Sequence, residues 1–190
     1  YFKSGEEFFL DLISELKQAK EFIFMEYFII EEGKMFNTIL EILKEKVQEG
    51  VDVRLIYDDV GCASKVKINY AKILQSYGIK CYVFNPFIPV ISGMHNNRDH
   101  RKITVIDGKV GYTGGINLAD EYINVKERFG HWKDTAIMLE GEAVQSFTMM
   151  FLEMWNITEK REDTYERYLT PKSDEIKREL GFVTPYADSP

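Results

Sequence analysis

The run His100-Arg101-Lys102-Ile103-Thr104-Val105-Ile106-Asp107-Gly108 sets an imidazole two residues from an ammonium on an apolar, β-branched stretch. Residues two apart on a strand point to the same face. His100 and Lys102 are therefore expected side by side. An imidazole can serve as nucleophile or proton shuttle. A fixed ammonium beside it can neutralise an oxygen of a phosphate. Asp107-Gly108 has the composition of a two-residue hairpin turn, with residues 109–113 as the return strand. Gly114-Gly115-Ile116-Asn117 then forms a glycine corner with a side-chain amide just past it.

The surrounding pattern supplies elements to hold these groups. Ser4-Gly5-Glu6-Glu7 is a helix start with acids in its first turn. Phe8, Leu12, Leu16 and Ala19 follow at helical spacing. Residues 21–30 form an expected buried strand and 35–48 a second amphipathic helix, stopped at Glu49-Gly50. A strand over 51–57 ends in Asp58-Asp59. A helix over about 65–77 ends at Gly78, and a strand covers 79–84. Beyond the hairpin, residues 134–139 form another strand. Residues 142–155 form a helix with Val144, Phe147, Phe151 and Trp155 on its apolar face. Residues 159–179 are dense in charges of both signs, the pattern of a solvated helical face or connector. Strand alternating with helix implies a layered α/β domain.

A chain of 190 residues, 45% hydrophobic, is long and apolar enough for one domain with a real core. Its net charge of −7 argues against broad nucleic-acid binding, which needs a basic face. The segment around the motif runs the other way. Arg98, Arg101, Lys102 and Lys109 stand against Asp99 and Asp107, a local patch suited to one small anion such as a phosphodiester. Cys62 and Cys81 make neither a disulfide framework nor a four-ligand zinc site. They are expected to be free thiols of an intracellular or cytoplasm-facing domain, with Cys81 in the core. The apolar run 22–30 is too short to span a membrane and is interrupted by Glu26. No secretory signal is visible, and the start at Tyr1 has the look of a fragment boundary.

The order H-x-K-x-x-x-x-D followed by G-G-x-N resembles the phospholipase D superfamily. The likeness extends over nearly the whole chain and is similar to bacterial cardiolipin synthases. It is carried by Glu26-Tyr27-Phe28-Ile29-Ile30, Tyr57-Asp58-Asp59-Val60-Gly61 and Arg98-Asp99-His100-Arg101-Lys102. Gly114-Gly115-Ile116-Asn117-Leu118-Ala119-Asp120-Glu121-Tyr122, Trp132-Lys133-Asp134-Thr135 and Glu140-Gly141-Glu142-Ala143-Val144 carry it further. The resemblance implies a layered α/β/α domain on a mixed β-sheet. It implies His100, Lys102 and Asp107 as the catalytic motif.

The chemistry follows from the substrate class. A phosphodiester's charge repels nucleophiles, so a catalyst must neutralise it and offer a strong nucleophile. Neutral His100 is expected to attack phosphorus and form a phosphohistidine. Lys102 would hold the non-bridging oxygens and Asn117 would donate a further hydrogen bond to them. The second imidazole nitrogen needs an acceptor, and Asp134 stands where the superfamily usually supplies a carboxylate for this. Strand alternation turns Asp107 away from His100 and Lys102, so its part is expected to be architectural although the family counts it in the motif. His95 and His131 carry no such pattern. No metal or other cofactor is expected.

The resemblance implies transfer of a phosphatidyl group between two phosphatidylglycerol molecules, giving cardiolipin and glycerol. The family carries two such motifs on two similar halves, with N-terminal membrane helices. Here 1–180 is expected to be one catalytic half and 181–190 the start of a second. The expected partners are phosphatidylglycerol, the membrane surface, and a second half in the same chain or a homodimer partner, with no nucleic acid. The full-length protein is expected at the cytoplasmic face of the cell membrane, and this piece to be soluble. A one-motif nuclease or phosphodiesterase acting as a homodimer, and a non-catalytic lipid-binding module, are the alternatives. Which half supplies the nucleophile is not legible. Finally, residues 81–94 lack any charge, and the proline-rich stretch 86–91 is either a loop packed on the domain or an apolar lip touching acyl chains.

Overall fold

The computed structural model describes residues 1–86, 97–159, 165–169 and 183–186. The chain opens with α1 (Gly5–Gln18), capped by Ser4, whose side chain accepts from the Glu7 amide. β1 (Phe22–Tyr27), α2 (Lys34–Gln48) and β2 (Asp52–Asp58) follow. Next come a single turn α3 (Asp59–Cys62), then α4 (Tyr70–Ser76) and β3 (Lys80–Phe84). The hairpin is β4 (Lys102–Ile106) and β5 (Val110–Gly114). A 3-10 turn (Asp120–Ile123), β6 (Ala136–Glu140), α5 (Val144–Glu159) and α6 (Glu166–Leu169) complete it.

The six strands form one sheet in the order β3-β2-β1-β4-β5-β6. β3, β2 and β1 run parallel, while β4 pairs antiparallel with β1, and β5 and β6 continue antiparallel. The sheet is therefore mixed. Alternation along the central strands divides the core into two layers. Ile23, Met25, Tyr27, Leu55 and Tyr112 pack with α1, α2 and α4 on one face. Phe22, Phe24, Ile56, Ile103 and Val105 pack with α5 and Tyr168 on the other. This is the layered α/β/α arrangement. None of the helices among the described residues is long and apolar enough to cross a membrane.

Three differences from the sequence reading bear on the site. β1 stops at Tyr27 rather than residue 30, because the chain beyond it turns aside to meet residues 117–118: Leu118 N donates to Ile29 O and Glu31 N to Leu118 O. The helix expected over 65–77 is only α4, since Asn69 takes a left-handed conformation (φ 62°) that a continuous helix excludes. β4 begins at Lys102, so His100 lies in the extended approach to the strand rather than on it. Both cysteines are free and buried. Residues 87–91 of the stretch 86–91, and most of the charged segment 159–179, lie outside the described residues.

Asp107 and Gly108 both have positive φ (52° and 65°), and Lys109 N donates to Ile106 O at 2.9 Å. This is the two-residue turn that the right-handed strand twist favours. The carboxylate of Asp107 turns back to the start of β1. There it accepts from the amides of Lys20 (2.9 Å), Glu21 (2.8 Å) and Phe22 (2.9 Å).

Candidate active site

The site lies where β1 and β2 end and β4 begins. β1 is flanked there by a parallel strand on one side and an antiparallel strand on the other. Diverging chain at strand ends opens a crevice, the usual place for ligands in open α/β sheets. Phe28, the first residue beyond β1, forms its floor. Its ring lies 4.8 Å from the His100 ring, centroid to centroid, and 5.4 Å from the Lys102 ammonium.

His100 is exposed, whereas Lys102 is buried. The structure thus brings the two together over one aromatic face. Lys102 Nζ donates to the backbone carbonyl oxygen of His100 at 2.5 Å. No carboxylate pairs with Lys102 within 4 Å among the described residues, although Asp99 and Asp134 act on it from farther away. Burial lowers its pKa to about 8, and those two carboxylates oppose the fall. The imidazole of His100 is also pulled below its usual 6.5, first by desolvation and then by Lys102, with Asp99 and Asp58 opposing. Near neutral pH the arrangement is a neutral imidazole open to solvent beside a charged ammonium with spare donors.

Asn117 is buried at the edge of the crevice. Its Oδ1 accepts from Ile29 N (2.9 Å) and its Nδ2 donates to Tyr122 Oη (2.8 Å). The amide therefore ties the loop after β1 to the 3-10 turn, with one N–H of Nδ2 left over. Asp134 precedes β6, which starts two residues later than expected. Its Oδ1 accepts from Thr135 N (2.8 Å), and its carboxylate lies against Gly115. A Cβ on Gly115 would fall 2.1 Å from that Oδ1, and one on Gly114 (φ 159°) would fall 2.4 Å from Thr135 O. The paired glycines are what lets β5 pass the acid so closely. No hydrogen bond reaches the His100 ring among the described residues. Asp134 acts electrostatically on Lys102 instead.

Asp107 is not part of the crevice. It follows the far end of β4, about 16 Å along the strand from Lys102 at ~3.3 Å per residue. His131 is exposed, and His95 lies outside the described residues. The basic patch expected around the motif does not form as a single surface. Arg101 points to the opposite face of the strand from Lys102, where its Nε lies 2.6 Å from Glu26 Oε1 and 3.3 Å from Asp99 Oδ1. Arg98 pairs with Asp58 at 3.3 Å, and Lys109 sits in the distant turn. Among the described residues no three His, Cys, Asp or Glu side chains are grouped so as to hold a metal ion.

Asp58 was not singled out from sequence, yet it organises the approach to His100. Fully buried at the end of β2, it accepts from Gly61 N (2.9 Å), from Arg98 and, through Oδ2, from Asp99 N (3.1 Å). The available signal was an acid pair closing a strand, the position from which side chains enter such a crevice.

Residues 12–155 match the family described as cardiolipin synthase, PLD-like domain. The chain belongs to this phospholipase D-like family. A Streptococcus mutans protein described as uncharacterized is 55% identical over 190 residues, all of this chain and 41% of its own length. Cardiolipin synthase 2 of Staphylococcus epidermidis is 37% identical over 174 residues, 91% of this chain and 36% of the relative. The chain thus spans well under half the length of these two relatives. Nuc from Salmonella typhimurium, a phospholipase D family member of known structure, superposes with a TM-score of 0.56. It is 17% identical, with 77% of this chain and 86% of Nuc covered. At that identity the likeness speaks for the phospholipase D-like fold alone.

Proposed function

We propose that this chain is one catalytic half of a phosphatidyltransferase that makes cardiolipin from phosphatidylglycerol. The observation that carries the reading is the exposed, neutral imidazole of His100 beside the buried, carboxylate-free ammonium of Lys102. A nitrogen of His100 attacks the phosphorus of one phosphatidylglycerol. The bond from phosphorus to the headgroup glycerol oxygen breaks, and glycerol leaves with a proton from a second histidine. The phosphatidyl group is then held as a phosphohistidine. The glycerol hydroxyl of a second phosphatidylglycerol gives its proton to that second histidine and attacks the phosphorus, breaking the bond to nitrogen, forming cardiolipin and freeing His100. Lys102 carries the charge on the non-bridging oxygens, and the spare N–H of Asn117 adds a donor. Asp134 steadies the charge of Lys102 and orients His100 once substrate closes the crevice.

Which motif attacks and which protonates is interchangeable in this scheme, and His100 serves either part. The second histidine comes from a further half of the same chain or from a homodimer partner. The similarity to cardiolipin synthases and the match over 12–155 support the reading, which places the full-length protein at the cytoplasmic membrane face.

The test is His100→Ala in the full-length protein, with labelled phosphatidylglycerol vesicles and separation of the lipid products. The wild type should yield labelled cardiolipin and the variant none, at an unchanged melting temperature. Phosphatidic acid in place of cardiolipin would make the protein a hydrolase. Cleavage of an oligonucleotide with no lipid turnover would make it a nuclease.

A further inference from the structure

Behind the approach to His100, on the α5 face of the sheet, ion pairing leaves something over. Glu26 on β1 is fully buried, with Oε1 2.6 Å from Arg101 Nε. Asp99 shares that guanidinium, its Oδ1 lying 3.3 Å from Nε and accepting from Arg101 N at 3.1 Å. Yet both carboxyl oxygens of Glu26, Oδ2 of Asp99 and Nη2 of Arg101 are buried without a hydrogen-bond partner among the described residues. Two ionised carboxylates crowded on one guanidinium in a dry layer are costly. A proton on Glu26 turns it from acceptor to donor and gives Asp99 Oδ2 a partner. It also balances the charge. Asp58, Asp99 and Glu26 are three carboxyls against the two guanidiniums of Arg98 and Arg101.

We propose that Glu26 is a protonated carboxylic acid that donates to Asp99 and thereby positions His100. The imidazole of His100 has no hydrogen bond of its own among the described residues, so its place is set by its backbone. That backbone is held from two sides. Lys102 Nζ grips the His100 carbonyl on one face. On the other, Asp99 is pinned at its amide by Asp58 and at its carboxylate by Arg101 and Glu26. The register sets Glu26 opposite Ile103 and Tyr27 opposite Lys102, so the two grips lie on adjacent rungs and opposite faces of the sheet.

Burial, and next the charge of Asp99, raise the Glu26 pKa well above the ordinary 4.5, against the pull of Arg101. The neighbouring carboxylate of the approach, Asp58 on β2, is already held by Arg98, and the acid of α5 that faces this layer, Glu159, accepts from Tyr82 on β3 and from Trp155. The positioning role rests on the phosphatidyl-transfer reading above; the protonation does not.

Infrared spectroscopy at pH 7 on the wild type and Glu26→Gln separates the two. The carbonyl stretch of a protonated carboxylic acid should be present in the wild type and absent from Glu26→Gln. No such band in the wild type overturns the protonation, whatever the protein catalyses. In the full-length protein Glu26→Gln, which keeps shape and a donor, should hold kcat within about threefold. Glu26→Met, which leaves Oδ2 of Asp99 with no donor, should lower kcat at least about tenfold with little change in KM. Equal losses in the two variants, or wild-type kcat in Glu26→Met, overturn the positioning. If Glu26→Met does not fold, a tenfold loss in Glu26→Gln alone overturns it. If the wild type transfers no phosphatidyl group, the function proposed above is wrong. The His100 imidazole resonance then decides positioning: it should move in Glu26→Met and stay in Glu26→Gln.

Discussion

The ammonium of Lys102 holds the backbone of His100: Nζ donates to the carbonyl oxygen of the residue two before it, at 2.5 Å. The cation proposed to bind phosphate is thus also a strut for the proposed nucleophile.

Removing it should therefore do two things. Lys102→Met should lower kcat by about a thousandfold or more, as loss of a buried charge stabiliser does. It should also raise the His100 titration midpoint, because Lys102 is one of the causes that lower it. Lys102→Arg should recover part of kcat but not the wild-type value, since a planar fork replaces a point charge. Steady-state kinetics with a proton NMR titration of His100 would check both. An unmoved His100 midpoint in Lys102→Met would show that the two groups are not coupled.

The pH profile has two sides with different owners. His100 reacts as the neutral base, so its limb should fall below pH 6.5. Lys102 binds as the ammonium, so activity should decline on the alkaline side near pH 8. Stability should move oppositely there. The lysine holds its proton less tightly folded than unfolded. Between about pH 8 and 10.5 the unfolded chain thus binds more protons, and stability from this group rises with pH. Lys102→Arg should push the alkaline limb of activity upward, because arginine stays charged. Rate measurements across pH 5 to about 10 on the two proteins would test the assignment.

Gly115→Ala puts a methyl 2.1 Å from Asp134 Oδ1, so either the acid or the start of β6 must move. The variant should lose about 1–3 kcal/mol of stability, the usual cost of overpacking. Activity should fall further than the unfolded fraction explains, because Asp134 shifts relative to Lys102. Thermal melts and kcat on the same preparation would separate the two effects. A variant as stable and active as the wild type would mean that Asp134 needs no fixed place.

Asp107→Ala removes three hydrogen bonds to backbone amides and a residue suited to positive φ. The expected loss is about 3–5 kcal/mol by chemical denaturation. The folded fraction should keep the His100 titration of the wild type, since the carboxylate lies at the other end of β4. A shifted His100 midpoint would return Asp107 to the chemistry.

Several of these relationships were legible in the residues. The Asp-Gly pair announces its turn, because few residues accept two successive positive φ values. The two-residue spacing of His100 and Lys102 does place them on one side, although only Lys102 is within the strand. The glycine pair flagged a close approach without saying to what. Period-two reasoning carried less information about Arg98, Asp99 and Arg101. Counted as charge they make a basic patch; alternation instead sends Arg101 through the sheet to meet Glu26. Glu26 was visible as an interruption in an apolar run and as part of a stretch similar to the family, with no role attached to it. That it would be fully buried depended on Asp99 and Arg101 arriving more than seventy residues later, which no local pattern encodes. Asn69 likewise delayed the start of a helix through a single backbone angle that composition does not predict.

The three amide bonds made by Asp107 also bear on how the chain is assembled during synthesis. Residues 20–22 and β1 emerge early, but their clamp and their antiparallel neighbour arrive some eighty-five residues afterwards. Until then one edge of β1 is unpaired, and the strand is held only by the parallel β2 on its other side. Contacts so far apart in sequence close slowly, and an open strand edge invites pairing with other chains. The nascent protein therefore passes through a stage in which a strand buried along its whole length in the finished fold waits for a late hairpin. Weakening that hairpin's anchor should lower the yield of folded protein in cells by more than its equilibrium stability alone implies.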